Sequence, residues 1–410
     1  MDGMRSGPAI HLVLGISSVG KSSYIKRRLE GPRSARIFLA YELQTAGADA
    51  ALDAQDSIVH YNMLLPWNND ADTYRASLRL EPTITALLQR KARLSATVLV
   101  ARPATFAKRI LLREEHEPEL RPGGHRYPVE AIFDFVSRVP VSEVYDLWLD
   151  LLAQQQIPFQ IVSTDERTYA PVATVADARR ILQSPATVDY SEAERTKALG
   201  NFSYAYQKLD WIGGVNGTGA DRGPTLAAIR PYLTGSSALD IGCGPGFFCF
   251  SLERLGFADV VGTELKKDRF LAACGIREVI GSRCRFAFRD AFLEPFARTF
   301  DTVLLLNVLH HVTDPIGALR QASRMCAQRL IVEFATLSDP KFAATWPGQT
   351  QHDNAMPLIG VSLLSQQDQT YLFTHEALRR ICLDHAKLFS RIEFLPSPMS
   401  PDRSIAICTK

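Results

Sequence analysis

The chain has 410 residues, too many for one ordinary hydrophobic core, so two domains are expected. Its composition, 46% hydrophobic and 22% charged, is that of a soluble globular protein, and no window of eighteen apolar residues predicts a membrane span. The formal net charge of +2 lacks the basic excess usual in proteins that live on nucleic acid.

The first ten residues carry one Arg and then run into a short apolar strand, so no signal peptide is expected and a cytoplasmic location is. The seven cysteines are odd in number, lie between Cys243 and Cys408 and form no CxxC pair. That pattern argues against a disulfide framework and a zinc site and predicts reduced core thiols.

In chain order, HLVLG predicts a strand, followed by a Gly-rich turn and a helix from about Lys21 to Leu29. Further strands are predicted at ARIFLAYEL, DSIVHYNMLL, ATVLVARP and PFQIVST. Helical patterns lie between them, TITALLQRKARL and SEVYDLWLDLLAQQQ among them. Such alternation predicts a mostly parallel sheet with helices on both faces. Residues 165–200 turn polar, with no clear strand and a mild helical pattern at Ala176–Leu182. The expected division is a first domain at 1–185, a linker at 186–200 and a second domain at 201–410. FSYAYQKLDWIGGVNGTGADRG opens the second domain and suits either a lid near a site or a plain connection. The alternation then restarts with strands SALDIG, ADVVGTEL, RCRFAFRDAF, FDTVLLLNVL and QRLIVEFATL. A helix, THEALRRICLDHA, and two last strands, RIEFLP and RSIAICTK, complete a second α/β domain.

The segment Gly15-Ile-Ser-Ser-Val-Gly20-Lys21-Ser22 matches G-x-x-x-x-G-K-[ST] in full, between a strand and a helix. Gly15 and Gly20 would let backbone N–H groups turn inward around phosphates, and the helix start adds partial positive charge. Lys21 would reach the β- and γ-phosphates of ATP, Ser22 would hold Mg²⁺, and Ser23 follows in the first helical turn. The domain resembles the small P-loop kinases of the shikimate, gluconate and nucleoside-monophosphate group. The resemblance implies a P-loop NTPase fold, phosphorylation of a hydroxyl or phosphate, and an acid near the end of the second strand at the acceptor. Glu42 falls there as candidate base, or else is a plain helix-starting or surface acid. KRILLREEHEPELRPGGHRYP, with Lys108, Arg109, Arg113, Arg121 and Arg126, is read as a basic lid or as solvated surface. The pattern departs from the resemblance at one point. No apolar strand ends in a carboxylate for the metal, and His60 and Asn62 stand where a metal- or acceptor-contacting group is expected.

In the second domain, Asp240, Gly242, Gly244 and Gly246 form a strand and Gly-rich turn, Glu264 ends the next strand, Asp290 follows the third and Asn307 ends the fourth. All fall at carboxyl ends of expected parallel strands, where ligands of open α/β sheets bind. In this order the set resembles the class I S-adenosylmethionine (SAM)-dependent methyltransferases, over about residues 200–410. The resemblance implies a Rossmann-like fold and SAM as methyl donor. It implies too that the Gly-rich turn approaches the methionine moiety, Glu264 binds the ribose hydroxyls and Asp290 holds the adenine amino group. An NAD-binding fold is the rival, but it expects a further glycine where Phe248 and Cys249 stand. The cofactor loop, with Trp211 upstream, is similar to wobble-uridine tRNA methyltransferases and to methyltransferases of sugar and natural-product pathways. His310 and His311 are candidate bases toward a hydroxyl acceptor, with core packing as the alternative. Glu333, Tyr371 and His375 are further candidate acceptor contacts.

The two halves together predict a bifunctional kinase–methyltransferase that phosphorylates and methylates a small-molecule or glycan acceptor of carbohydrate type, using ATP, Mg²⁺ and SAM. Two other readings stay open: RNA modification with an RNA or nucleoside kinase domain, and a methyltransferase with a non-catalytic nucleotide-sensing P-loop domain. The oligomeric state is not legible.

Overall fold

A computed structural model describes residues 8–29, 35–44, 47–64, 71–113, 129–165, 169–202, 207–209, 220–338, 354–361 and 371–410. The chain divides into two compact units, Met1–Tyr190 and Ser191–Lys410.

The first unit contains β1 (Ile10–Gly15), β2 (Arg36–Leu39), β3 (Ser57–Asn62), β4 (Leu94–Val100), β5 (Phe159–Ser163) and β6 (Ala170–Val172), in the order β2-β3-β1-β4-β5-β6. The first five are parallel, and β6 runs antiparallel to β5 at the edge. β1 and β4 are buried almost throughout, as befits central strands of a parallel sheet covered on both faces. The helix Val141–Gln154 turns Tyr145, Trp148, Leu149 and Leu152 into the core at helical spacing. Two expectations are corrected. ARIFLAYEL is strand only over Arg36–Leu39; Ala40–Gln44 forms a 3₁₀ turn, closed by the Glu42 carboxylate accepting the Leu39 N–H at 2.8 Å. The polar stretch from 165 holds the short strand β6, whose Pro171 is tolerated at a sheet edge. It also holds the helix Val175–Leu182, which is capped by Thr174 and sends Ala178 and Leu182 into the core.

The residues read as a linker, 186–200, are helical over their second half. Glu192–Leu199 is a helix whose start is closed by a reciprocal Ser191–Glu194 capping box. The division between units falls just before it.

The second unit contains β7 (Ser237–Ile241), β8 (Asp259–Glu264), β9 (Arg285–Phe288), β10 (Phe300–Leu306), β11 (Cys326–Ala335), β12 (Ile359–Val361), β13 (Tyr371–Phe373), β14 (Arg391–Pro396) and β15 (Arg403–Thr409). Seven of them form one sheet in the order β14-β15-β11-β10-β7-β8-β9. β7 to β11 are parallel, and β15 is antiparallel to both β11 and β14. Strand order reverses between β7 and β10, the place where open α/β sheets form a ligand crevice. β12 and β13 make a separate antiparallel pair that the sequence pattern did not suggest.

All seven cysteines are buried free thiols of this unit. Burial pushes the Cys284 thiol up to about 12 and the Cys326 thiol up to about 11. Among the described residues no helix is long and apolar enough to cross a membrane.

Candidate cofactor sites

In the second unit the apolar strand β7 delivers the turn Gly242–Gly246 to the switch point. Gly242 and Gly246 both have left-handed backbone, with φ of 73° and 98°. Space forbids a side chain at either. A Cβ on Gly242 would lie 2.5 Å from Val308 Cγ2, and one on Gly246 would lie 2.7 Å from Phe250 Cε2. Glu264, buried at the end of β8, reaches across to this turn. Its Oε2 accepts the Gly244 N–H at 2.9 Å, and its Oε1 accepts the Leu265 and Lys266 N–H groups at 2.8 and 2.9 Å. A carboxylate has about four acceptor sites, so these bonds orient it and leave capacity for one further donor. Asp240 is fully enclosed beneath the turn. Burial pushes its carboxyl up to about 7, and the Cys249 thiol donates to its Oδ2 at 3.6 Å.

Gln207 completes the turn from outside it. The side chain is buried; its Nε2 donates to the Cys243 carbonyl at 3.3 Å and its Oε1 accepts the Phe247 N–H at 3.0 Å. One amide thus grips both ends of the Gly-rich turn. Sequence reasoning missed it; the only signal was its place in the aromatic stretch before the second sheet. Trp211, in the same stretch, lies outside the described residues.

On the β8–β9 side, Asp290 accepts the Phe292 and Leu293 N–H groups through Oδ1 at 2.8 and 3.3 Å, closing the loop that leaves β9. Three large apolar side chains are exposed nearby in sequence. Leu265 after β8 is 60% exposed, Phe288 at the end of β9 45%, and Leu293 in the following loop 82%. Apolar surface at the carboxyl ends of these strands is the kind of surface that a flat heterocycle covers.

On the β10–β11 side, Asn307 holds left-handed backbone with φ 59°. Its Nδ2 donates to Glu333 and its Oδ1 accepts from Arg403. Glu333 is fully buried, also accepts the Ser397 hydroxyl at 2.5 Å and has Arg222 at 3.8 Å. Its carboxylate is therefore part of an internal network. Of the histidine pair, His310 is buried and His311 exposed, with ring centroids 4.2 Å apart. Tyr371 donates its hydroxyl to the Thr313 carbonyl at 3.2 Å. His375 bonds the Ser404 hydroxyl at 2.7 Å and stacks on Phe394 at 4.4 Å, and burial lowers its pKa, so its observed role is packing.

In the first unit, the loop after β1 is tightly built. A Cβ on Gly15 would lie 2.6 Å from Val19 Cγ1. Lys21 is buried, with Nζ donating to the Gly15 and Ile16 carbonyls at 2.8 and 2.7 Å. Gly20, with left-handed backbone, begins the helical stretch. Ser22 places its Oγ 3.4 Å from His60 Nε2 on β3, Asn62 donates to the Ser17 hydroxyl at 3.2 Å, and Ser23 is exposed. Of the basic residues assigned to a lid, Lys108 and Arg109 lie in the helix Pro103–Leu111. Arg109 donates to the Val19 carbonyl at 3.1 Å and the Thr164 hydroxyl at 2.9 Å, tying the loop to the end of β5. Lys108 donates to the Asp189 carbonyl at 2.6 Å. Arg113 lies just past the helix end, and Arg121 and Arg126 lie outside the described residues. Among the described residues no three His, Cys, Asp or Glu side chains group as a metal site.

Residues 220–391 match the family model of a methyltransferase domain. Among curated proteins, the chain is similar to the ubiquinone biosynthesis O-methyltransferase of Aliivibrio fischeri strain MJ11, at 32% identity over 108 residues. That alignment covers 26% of this chain and 46% of the relative. It is also similar to the enzyme of that name from Caulobacter vibrioides, at 32% over 112 residues, 27% of this chain and 44% of the relative. The chain spans about half the length of these relatives. Among solved structures, it is similar to the N-terminal domain of EvdMO1 with SAH bound, at 19% identity and TM-score 0.38. That match covers 54% of this chain and 97% of the other. A second is magnesium protoporphyrin IX methyltransferase (ChlM) from Synechocystis PCC 6803 with bound SAH, at 19% identity and TM-score 0.33, covering 45% of this chain and 78% of the other. Gln207 and Arg403 lie outside the residues that the family model matches.

Proposed function

We propose that the chain is a bifunctional enzyme whose C-terminal unit, which contains the methyltransferase-domain match at residues 220–391, is a class I SAM-dependent methyltransferase. It methylates an oxygen of a carbohydrate-like acceptor and phosphorylates the same acceptor through its N-terminal unit. The methyl-transfer half rests on one observation above others: the Gly242–Gly246 turn and the oriented Glu264 carboxylate meet at the switch point of the sheet. Bound SAM supplies an electrophilic methyl group on a positively charged sulfur. The glycines let backbone approach it, Glu264 has acceptor capacity left for one hydroxyl of the ribose, and Leu265, Phe288 and Leu293 offer apolar cover for the adenine. The name of the similar curated enzymes makes oxygen the favoured acceptor atom. A hydroxyl acceptor must lose a proton, and the exposed His311 is the member of the pair that can take it. A phosphate oxygen is already anionic and needs no base.

The phosphorylating half is supported by the complete P-loop motif at the end of the central strand β1, with Lys21 buried against the loop's own carbonyls. Lys21 would exchange those carbonyls for nucleotide phosphates, with loop N–H groups as the other donors. One observation favours the sensing alternative: neither strand beside β1 ends in a carboxylate.

A double-label experiment separates these. The full chain is incubated with γ-labelled ATP, methyl-labelled SAM and separated glycan, RNA and small-metabolite fractions. The expected result is one carbohydrate species carrying both labels, with the phosphate label lost in Lys21→Ala. Methyl label alone would leave the N-terminal unit a binding module, and double label on RNA would replace the acceptor class.

A further inference from the structure

The strands flanking β1 are β3 and β4. In P-loop proteins the Mg²⁺ that accompanies a nucleotide is held by the loop serine and by an acid at a neighbouring strand end. Here β3 ends His60-Tyr61-Asn62 and β4 ends Leu99-Val100. Asp56 sits at the opposite end of β3, where it accepts the Ala9 N–H at 2.8 Å. Asp165, after β5, is engaged by the Arg102 N–H at 3.0 Å and the Thr105 hydroxyl at 2.7 Å.

Among the described residues, strand alternation decides what faces the loop instead. Tyr61 is buried against Trp148, with ring centroids 4.8 Å apart. His60 and Asn62 therefore point the other way, and both reach the loop, at Ser22 and Ser17. The group beside the Ser22 hydroxyl is thus an imidazole nitrogen. Mg²⁺ is a hard ion that takes oxygen ligands in near-octahedral geometry, whereas imidazole suits later first-row ions such as Co²⁺. The donor set of Ser22 and His60 does not fit the usual magnesium arrangement.

We infer that His60 makes the N-terminal phosphate loop select nucleotide complexed with a nitrogen-accepting first-row divalent ion over the Mg²⁺ complex. The inference rests on the nucleotide-binding reading above, and its test keeps the two apart. A fluorescent non-hydrolysable ATP analogue is titrated into the full-length chain with Mg²⁺, with Co²⁺ or with EDTA. The proteins are the wild type, His60→Asp, His60→Ala and Lys21→Ala, and thermal melts check that each is folded. The wild type is expected to bind the Co²⁺ complex about tenfold tighter than the Mg²⁺ complex. His60→Asp and His60→Ala are both expected to lose that preference and bring the two within about twofold. If His60→Asp does not fold, His60→Ala and His60→Asn carry the comparison. Equal binding of both complexes by the wild type, or an unchanged ratio in His60→Ala, overturns the inference while the nucleotide reading stands. Binding no stronger than that of Lys21→Ala under every condition overturns the nucleotide reading and the inference with it.

Discussion

Gln207 makes two hydrogen bonds to the backbone of the Gly-rich turn and touches none of the turn's side chains through them. Each such bond is worth about 1 kcal/mol net, and an unpaired buried N–H or carbonyl costs more. Gln207→Leu is therefore expected to weaken SAH binding about tenfold, because the turn loses the clamp that holds its shape. Calorimetric titration checks this, and an unchanged affinity would show that the turn holds itself. Asp240 governs a different property. Its carboxyl ordinarily titrates at 3.8 and is pushed by burial up to about 7 in the folded protein. The native state keeps a proton that the unfolded chain releases, so the stabilisation is full below pH about 4 and is lost as pH rises toward 7. The gap corresponds to about 4 kcal/mol. The unfolding free energy of the wild type minus that of Asp240→Asn should fall across this range, as read from urea melts at stepped pH. A flat difference would mean that Asp240 is charged in the native state.

The element scale is where β8 meets the turn and helix that follow β7. Gly262 lies in the middle of β8, and a Cβ there would stand 2.8 Å from both the Cys243 and Cys249 sulfurs and 2.9 Å from Phe286 Cδ1. None of these is the loose end of a long side chain. Gly262→Ala should destabilise the second unit by about 1–3 kcal/mol, seen as a lower denaturant midpoint. The same elements mark what could be read from sequence. β1 and β7 were legible because an apolar run, a glycine turn and a helix follow one another without a gap, so the chemistry and the geometry share one segment. Glu264 was legible because it ends the next strand. Gln207 was not, since its partners lie 36 and 40 residues away and are backbone atoms, which carry no residue-type signal. β6, β12 and β13 have three residues each, too few for a period of two to show. Glu42 shows the opposite difficulty: an acid after a strand reads equally as a base and as the turn closure that the structure displays.

At the scale of the whole molecule, the chain divides into two compact units, and a charge of +2 says little about either. The distribution of thiols between them has a practical consequence. Every thiol belongs to the second unit and is shut away from water, so a sulfhydryl reagent in solution meets none of them until that unit opens. Thiolate is the reacting form; burial disfavours it further at Cys249, and the bond with Cys382 followed by burial does so at Cys408. The rate of labelling is therefore a clock that runs on the opening of one half of the chain and is blind to the other. SAH at a hundred times its dissociation constant should slow that clock about a hundredfold, if labelling follows opening of the fold that binds it. Chromogenic disulfide exchange followed over hours would read it directly. Fast modification of even one cysteine in the presence of SAH would reveal a local opening that leaves the cofactor site intact.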